Sequence, residues 1–218
     1  MKIFFQIILC LFLTNAFSQE FLYIHNIIPD VVYDIRYNSA DNFMGVHVEG
    51  YKKSVAMLSQ EASAALKNVQ DDLAAKGYGL KVFDAYRPQK AVNHFIRWAK
   101  VLSDTLTKRI YYPDLSKSVL FELGYIAERS GHTRGSTLDL TIVYKESGAE
   151  VDMGSPWDFF GDISHHGTKK ISKEQTANRN ILLNTMEKNG FRRYDNEWWH
   201  YTLNDEPYPD IYFDFDVK

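Results

Sequence analysis

Residues Ser136 to Tyr144 alternate without a break, and this run limits the fold more than any other part of the chain. Leu138, Leu140 and Ile142 fall on one face of an extended strand. Thr137, Asp139 and Thr141 fall on the other. Asp139 stands between two leucines, and a carboxylate near a core is costly unless it is paired or binds a metal. The strand thus predicts a sheet and, on it, an acid in need of a partner.

Other segments supply the cover for that sheet. Val55, Leu58, Ala62, Leu66, Val69 and Leu73 recur at helical spacing, predicting a helix over Ser54 to Ala75 that Gly77 stops. Leu80 to Ala85 reads as a short strand. Pro88 suits the first turn of a further helix, whose apolar face is Val92, Phe95, Ile96, Ala99 and Leu102. Lys173 to Lys188 reads as a third long helix, ended by Gly190. Phe191 to Tyr194 and Trp198 to Leu203 read as a closing strand pair, and Asp30 to Asn42 as irregular with some strand character. Helices come early and strands cluster late, which predicts an α+β single domain, a mostly antiparallel sheet flanked by helices. No repeat or low-complexity linker divides the 218 residues. A hydrophobic fraction of 45% excludes a disordered or fibrous class. The net charge of −3 gives no basic footprint, so no nucleic-acid partner is expected.

The first eighteen residues stand apart. Met1-Lys2 is a short positive start, Ile3 to Leu13 is apolar apart from Gln6, and Ala16-Phe17-Ser18 ends in small residues. This is the layout of an export signal, too short in its apolar stretch to span a bilayer. The expected domains are residues 1–18 as signal peptide and 19–218 as the working domain. The expected location is outside the cytosol, in the periplasm, with no stable membrane insertion after cleavage. Cys10, the only cysteine, falls in the leader, so a mature chain has no disulfide and no thiolate ligand. Any metal is left to histidine and carboxylate.

Three segments concentrate ionisable residues among apolar ones: Ser130 to Asp139, Glu197 to His200, and Asp84 to Pro88. A turn at Gly135 folds His132 back beside Asp139. His200 lies on a later strand between Trp199 and Tyr201. Two histidines and one carboxylate make a catalytic zinc set with water in the fourth position, and Glu197 is the natural general base for that water. The plain alternative is that each histidine is a satisfied structural residue. Chemistry alone leaves both readings open. Glu197 and His200 are three apart, which on a regular strand places them on opposite faces. Glu197 is therefore expected at the turn before the strand, where the alternation breaks.

Ser-x-His-x-x-Gly-x-x-x-Asp at 130–139 followed by Glu197-Trp198-Trp199-His200 resembles the zinc D-alanyl-D-alanine dipeptidases of vancomycin-resistance type. The likeness runs from about Tyr33 to Lys218 and takes in Tyr86-Arg87-Pro88, Met153-Gly154-Ser155 and the tail Asp205 to Phe215. Their wider family holds the D,D-carboxypeptidases and shares the Hedgehog-like fold. The resemblance implies a zinc enzyme that splits free D-Ala-D-Ala into two D-alanines, with one Zn²⁺ per chain and a small dipeptide as its partner. It implies His132, Asp139 and His200 as metal ligands, Glu197 as catalytic base, and Arg87 as the stabiliser of the tetrahedral intermediate. It also implies Ser130 at the substrate carboxylate, and Tyr37 and Asp158 at the free ammonium. The resistance-type enzymes act in the cytosol, so an export signal implies work on dipeptide released from peptidoglycan, in turnover or salvage.

Each assignment has a plainer rival. Arg87 is equally a structural ion-pair partner. Asp158 suits the N-cap of a short helix starting at Phe159. Ser130 suits ordering of the turn, and Tyr37 suits packing alone. Arg134 is a second candidate for the oxyanion. His165-His166 reads as structural, since adjacent strand residues face apart. Trp198 and Trp199 read as core and pocket wall. The competing functions are a D,D-carboxypeptidase acting on stem peptides and a non-catalytic zinc-containing wall-binding module. The sequence does not give the oligomeric state.

Overall fold

The computed structural model describes residues 21–218, so the signal peptide expected at residues 1–18, with Cys10, lies outside the described residues. A five-stranded sheet organises them, in the order β2 (Val32–Tyr33), β4 (Tyr78–Asp84), β5 (Thr137–Tyr144), β7 (Glu197–Leu203), β6 (Phe191–Tyr194). Only β2 and β4 run parallel; the other pairs are antiparallel. A second, two-stranded sheet joins β1 (Phe21–Tyr23) to β3 (Met57–Ser59). The expected α+β class with a mostly antiparallel sheet holds.

The alternating run forms β5, the middle strand. Its apolar side packs in the core with Leu66 and Leu73 of α2 (Gln60–Ala74) and Leu182 and Met186 of α5 (Lys173–Lys188). α2 packs on β4, α5 on β6 and β7, and the two helices touch. Lys188 Nζ and Asn189 Nδ2 both reach Asp72 at 2.8 and 2.9 Å, tying the helix ends together. The polar side of β5 is not solvated, as a two-sided alternation would suggest: Thr137, Asp139 and Thr141 are all buried. This buried polar face carries the site. Leu140 is fully buried, so Leu140→Ala is expected to cost about 2–5 kcal/mol in denaturant unfolding.

Local chemistry explains where the helices begin. α5 starts at Ser172, whose Oγ accepts from Gln175 N while Gln175 Oε1 accepts from Ser172 N, a capping box. α2 starts later than its apolar spacing predicted. Ser59 is extended and its Oγ caps Ala62 N, so Val55 and Leu58 precede the helix and Met57–Ser59 pairs with β1 instead. Gly77 has φ of 83°, the left-handed conformation that ends the segment. α3 (Gln89–Lys100) begins after Pro88 rather than including it, and it stops before Leu102, which is exposed. Two single-turn helices, α1 (Ile24–Ile27) and α4 (Lys108–Tyr111), carry no periodic signal that a sequence reading could find. Among the described residues no helix is long and apolar enough to cross a membrane.

Candidate active site

Three adjacent strands place acids and a histidine in one row. Asp84 of β4 is opposite Asp139 of β5, and Asp139 is opposite His200 of β7. Cross-strand partners share a face, so all three side chains meet on the buried polar side. One bulge sets this row and a second adds Glu197 to it. In β4 the register slips by one between Val82 and Asp84, which brings Asp84 rather than Phe83 opposite Asp139. In β7 the register with β6 jumps from Arg193↔Tyr201 to Tyr194↔Glu197. Alternation is lost across Trp198 to His200, and Glu197 and His200 end on one side, with Glu197 Oε2 3.4 Å from His200 Nδ1. Glu197 is thus the first residue of the strand rather than part of the turn before it.

His132 comes from a single 3-10 turn, Gly131–Arg134, just before β5. Gly135 closes that turn at φ of 81°. Ser130 caps it, its Oγ accepting from His132 N at 3.3 Å. His132 Nδ1 donates to Ala85 O at 2.7 Å, which fixes the tautomer and leaves the Nε2 lone pair free. The three candidate ligand atoms form a near-equilateral triangle. His132 Nε2 is 3.3 Å from Asp139 Oδ1, His200 Nδ1 is 3.2 Å from the same oxygen, and the two nitrogens are 3.3 Å apart.

That triangle fits a metal ion. Ligands at ~2.0–2.1 Å around a tetrahedral zinc stand about 3.3 Å from one another. Asp139 Oδ1 is buried and receives no well-aligned hydrogen bond. The other oxygen, Oδ2, accepts from Trp157 Nε1 at 3.3 Å. Electrostatics agree. Burial opposes the Asp139 charge, yet the His132 and His200 imidazoles hold the carboxyl far below its usual range. Burial likewise opposes the charged His200 imidazole, but Asp139 and Glu197 lift it to about 9. The pocket attracts more positive charge than neutral histidines supply. Among the described residues, these three are the one group with the spacing to hold a metal.

All eight candidate residues border a single cavity of about 260 Å³, together with Phe43, Phe95 and Phe160. This lies below the ~300–1,000 Å³ usual for larger ligands, and so suits a small one. Arg87 is largely buried, with Nε donating to Asp84 Oδ2 at 2.8 Å and Nη2 3.6 Å from Asp139 Oδ2. It is therefore both an ion-pair partner and a cavity-facing donor. Tyr37 packs among aromatic rings and also donates its hydroxyl to Asp158 Oδ2 at 2.8 Å. No helix starts at Phe159, so Asp158 is not an N-cap. It is the only non-glycine residue with positive φ among those described, at 60°. Burial, reinforced by the Asp139 charge, holds its carboxyl well above the usual range, and the Tyr37 hydroxyl and the Arg87 charge offset this only in part.

The rivals fall away from the cavity. Arg134 is held by Glu206 through two contacts of 2.7 Å and is not a wall residue. His165 Nε2 meets the Tyr125 hydroxyl at 2.9 Å, outside the ligand group. Trp198 and Trp199 are core, and neither lines the cavity as a pocket wall. The sequence reading missed Asp84, Tyr51, Trp157 and Arg129 as site neighbours. Asp84 belonged to a segment already dense in ionisable residues; Tyr51 and Trp157 carried no signal beyond their aromaticity.

A buried two-histidine, one-aspartate triangle beside a carboxylate and a guanidinium is the equipment of a mononuclear metallohydrolase. The chain belongs to the D-ala-D-ala dipeptidase family, whose model matches residues 17–218. It is 44% identical to a D-alanyl-D-alanine dipeptidase of Enterococcus faecalis over 201 residues, covering 92% of this chain and 100% of that protein. It is 42% identical over 198 residues to one of Enterococcus faecium, covering 91% and 98%. A relative from Streptomyces coelicolor bearing the same name is 39% identical over 200 residues, covering 92% and 99%.

Proposed function

We propose that this protein hydrolyses free D-Ala-D-Ala to two D-alanines, with His132, Asp139 and His200 holding one Zn²⁺. The observation that carries the reading is the ligand triangle with Glu197 beside it in a small cavity. When bound, the ion supplies Lewis-acid polarisation and lowers the pKa of water toward about 7. Glu197 takes a proton from the attacking water and passes it to the leaving amine. Arg87 donates to the oxygen on which negative charge develops. Asp158, with Tyr37, accepts the free ammonium, whose charge favours the ionised carboxylate that burial opposes. Ser130 borders the same cavity and is the residue assigned to the far carboxylate, while its Oγ also orders the His132 turn.

A site built for a charged end leaves its own groups unpaired when that end is capped. N-acetyl-D-Ala-D-Ala is therefore expected to be cleaved at least ~10²-fold more slowly than the free dipeptide, judged by kcat/KM. Equal cleavage of the two would move the protein to the carboxypeptidase branch.

The apolar leader supports work outside the cytosol, on dipeptide released from peptidoglycan. Fractionation of cells with mass spectrometry of the N-terminus tests this. A mature chain starting near Gln19 in the periplasm is the expected result; an intact leader on cytosolic protein would sink it.

A further inference from the structure

We infer that Asp84, braced by Tyr51, is a positioning residue that aims the Arg87 guanidinium into the cavity and keeps it off the ligand carboxylate Asp139. The inference rests on the dipeptidase reading for its kinetic arm only. Asp84 is 1% exposed and reaches the site only because of the bulge in β4. Both of its oxygens are occupied. Oδ1 accepts from the Tyr51 hydroxyl at 2.6 Å, and Oδ2 accepts from Arg87 Nε at 2.8 Å. His132 Nδ1 is 3.5 Å from Oδ2, but its hydrogen bond goes to Ala85 O.

Tyr51 is itself clamped by the end of the chain. Its backbone bridges Val217, and Lys52 N donates to Val217 O at 2.8 Å. Val217 N returns to Gly50 O at 2.8 Å. A buried tyrosine, held through its backbone by the bridge to Val217, thus fixes a carboxylate at the cavity wall.

The consequence falls on Arg87. Its guanidinium sits 5.4 and 5.1 Å from the Tyr37 and Phe95 rings, which restrict its tilt. With Nε committed to Asp84, the Nη groups are the ones left for the cavity. Nη2 stands 3.6 Å from Asp139 Oδ2, outside hydrogen-bond range. Two buried acids therefore compete for one cation, and Asp84 holds it by shorter contact. Without the Asp84 charge, Asp139 is the strongest partner left. Arg87 then swings onto the metal ligand, which loses charge density at the ion while the developing oxyanion loses its donor.

The test uses the mature chain with Asp84→Asn, Tyr51→Phe and Arg87→Ala, singly and paired. Asp84→Asn is expected to lower kcat on D-Ala-D-Ala by ~10² with KM changed less than about threefold. Its zinc dissociation constant, from chelator competition, is expected to rise ~10-fold, a readout independent of substrate. Tyr51→Phe is expected to lose ~3–10-fold in kcat. On an Arg87→Ala background, neither replacement lowers kcat further, because the group they position is gone. An unchanged kcat and zinc affinity in Asp84→Asn would overturn the inference, as would the same fold-loss with and without Arg87. If Asp84→Asn fails to fold, the Tyr51→Phe and Arg87→Ala cycle decides by the same criterion. A wild-type chain that binds zinc but leaves D-Ala-D-Ala intact rejects the dipeptidase reading alone, and the zinc-affinity comparison still judges Asp84.

Discussion

Glu197→Gln lowers the rate of dipeptide cleavage by ~10²–10⁴ while the protein keeps its zinc. The expectation follows from where Glu197 sits. It lies outside the triangle formed by His132 Nε2, Asp139 Oδ1 and His200 Nδ1, yet its Oε2 is 3.4 Å from His200 Nδ1 and it borders the cavity. It is close enough to exchange protons with a water at the ion and is not needed to hold the ion. The glutamine keeps the shape and removes the base. Single-turnover rates and metal content by atomic emission check both halves. A rate within threefold of wild type removes Glu197 from the mechanism, and loss of the metal along with the rate makes it a ligand.

His132→Ala has the other large effect, on the metal itself. Structural zinc sites bind with about 10–16 kcal/mol over four ligands, so one ligand is worth roughly 3–4 kcal/mol, or ~10²–10³ in affinity. The loss is expected to reach that range, because Asp139 Oδ1 is left with one converging nitrogen in place of two. Protons compete for the same lone pairs. His200 is held at about 9 by Asp139 and Glu197, so its proton must leave before the metal is bound. Zinc affinity is therefore expected to rise with pH through neutrality and to flatten near 9. Competition with a chromophoric chelator across that range checks the sign. An affinity independent of pH contradicts the assignment of His200 as a ligand.

How much of this was legible beforehand varies with the physical origin of each feature. The strand Thr137–Tyr144 and the helix Lys173–Lys188 are local patterns, and their periodicity or caps show them directly. The candidate ligands stood out because an acid between leucines and a histidine beside Trp199 are locally odd, but those residues alone left a structural reading open, and the resemblance to the dipeptidases assigned them. The start of α2 was misread because Val55 and Leu58 continue its spacing by coincidence. Only the pairing of Met57–Ser59 with Phe21–Tyr23 reveals them as strand. The bulges were out of reach for a deeper reason. A register slip is a property of two strands together, and nothing in Val82-Phe83-Asp84 alone says which residue will oppose Asp139. The roles of Asp84 and Tyr51 depend on that slip. The two-sided burial of β5 was hidden for a similar reason, since Thr137 and Thr141 look solvent-facing until the distant segments carrying Gly131 and Trp157 lie over that face.

The most direct measurement is release of free D-alanine from D-Ala-D-Ala by the purified mature protein, with one equivalent of zinc and after chelation. The account predicts steady release with zinc, none after chelation, and recovery when zinc is restored. A protein that binds one zinc through His132, Asp139 and His200 and still releases no D-alanine would contradict it.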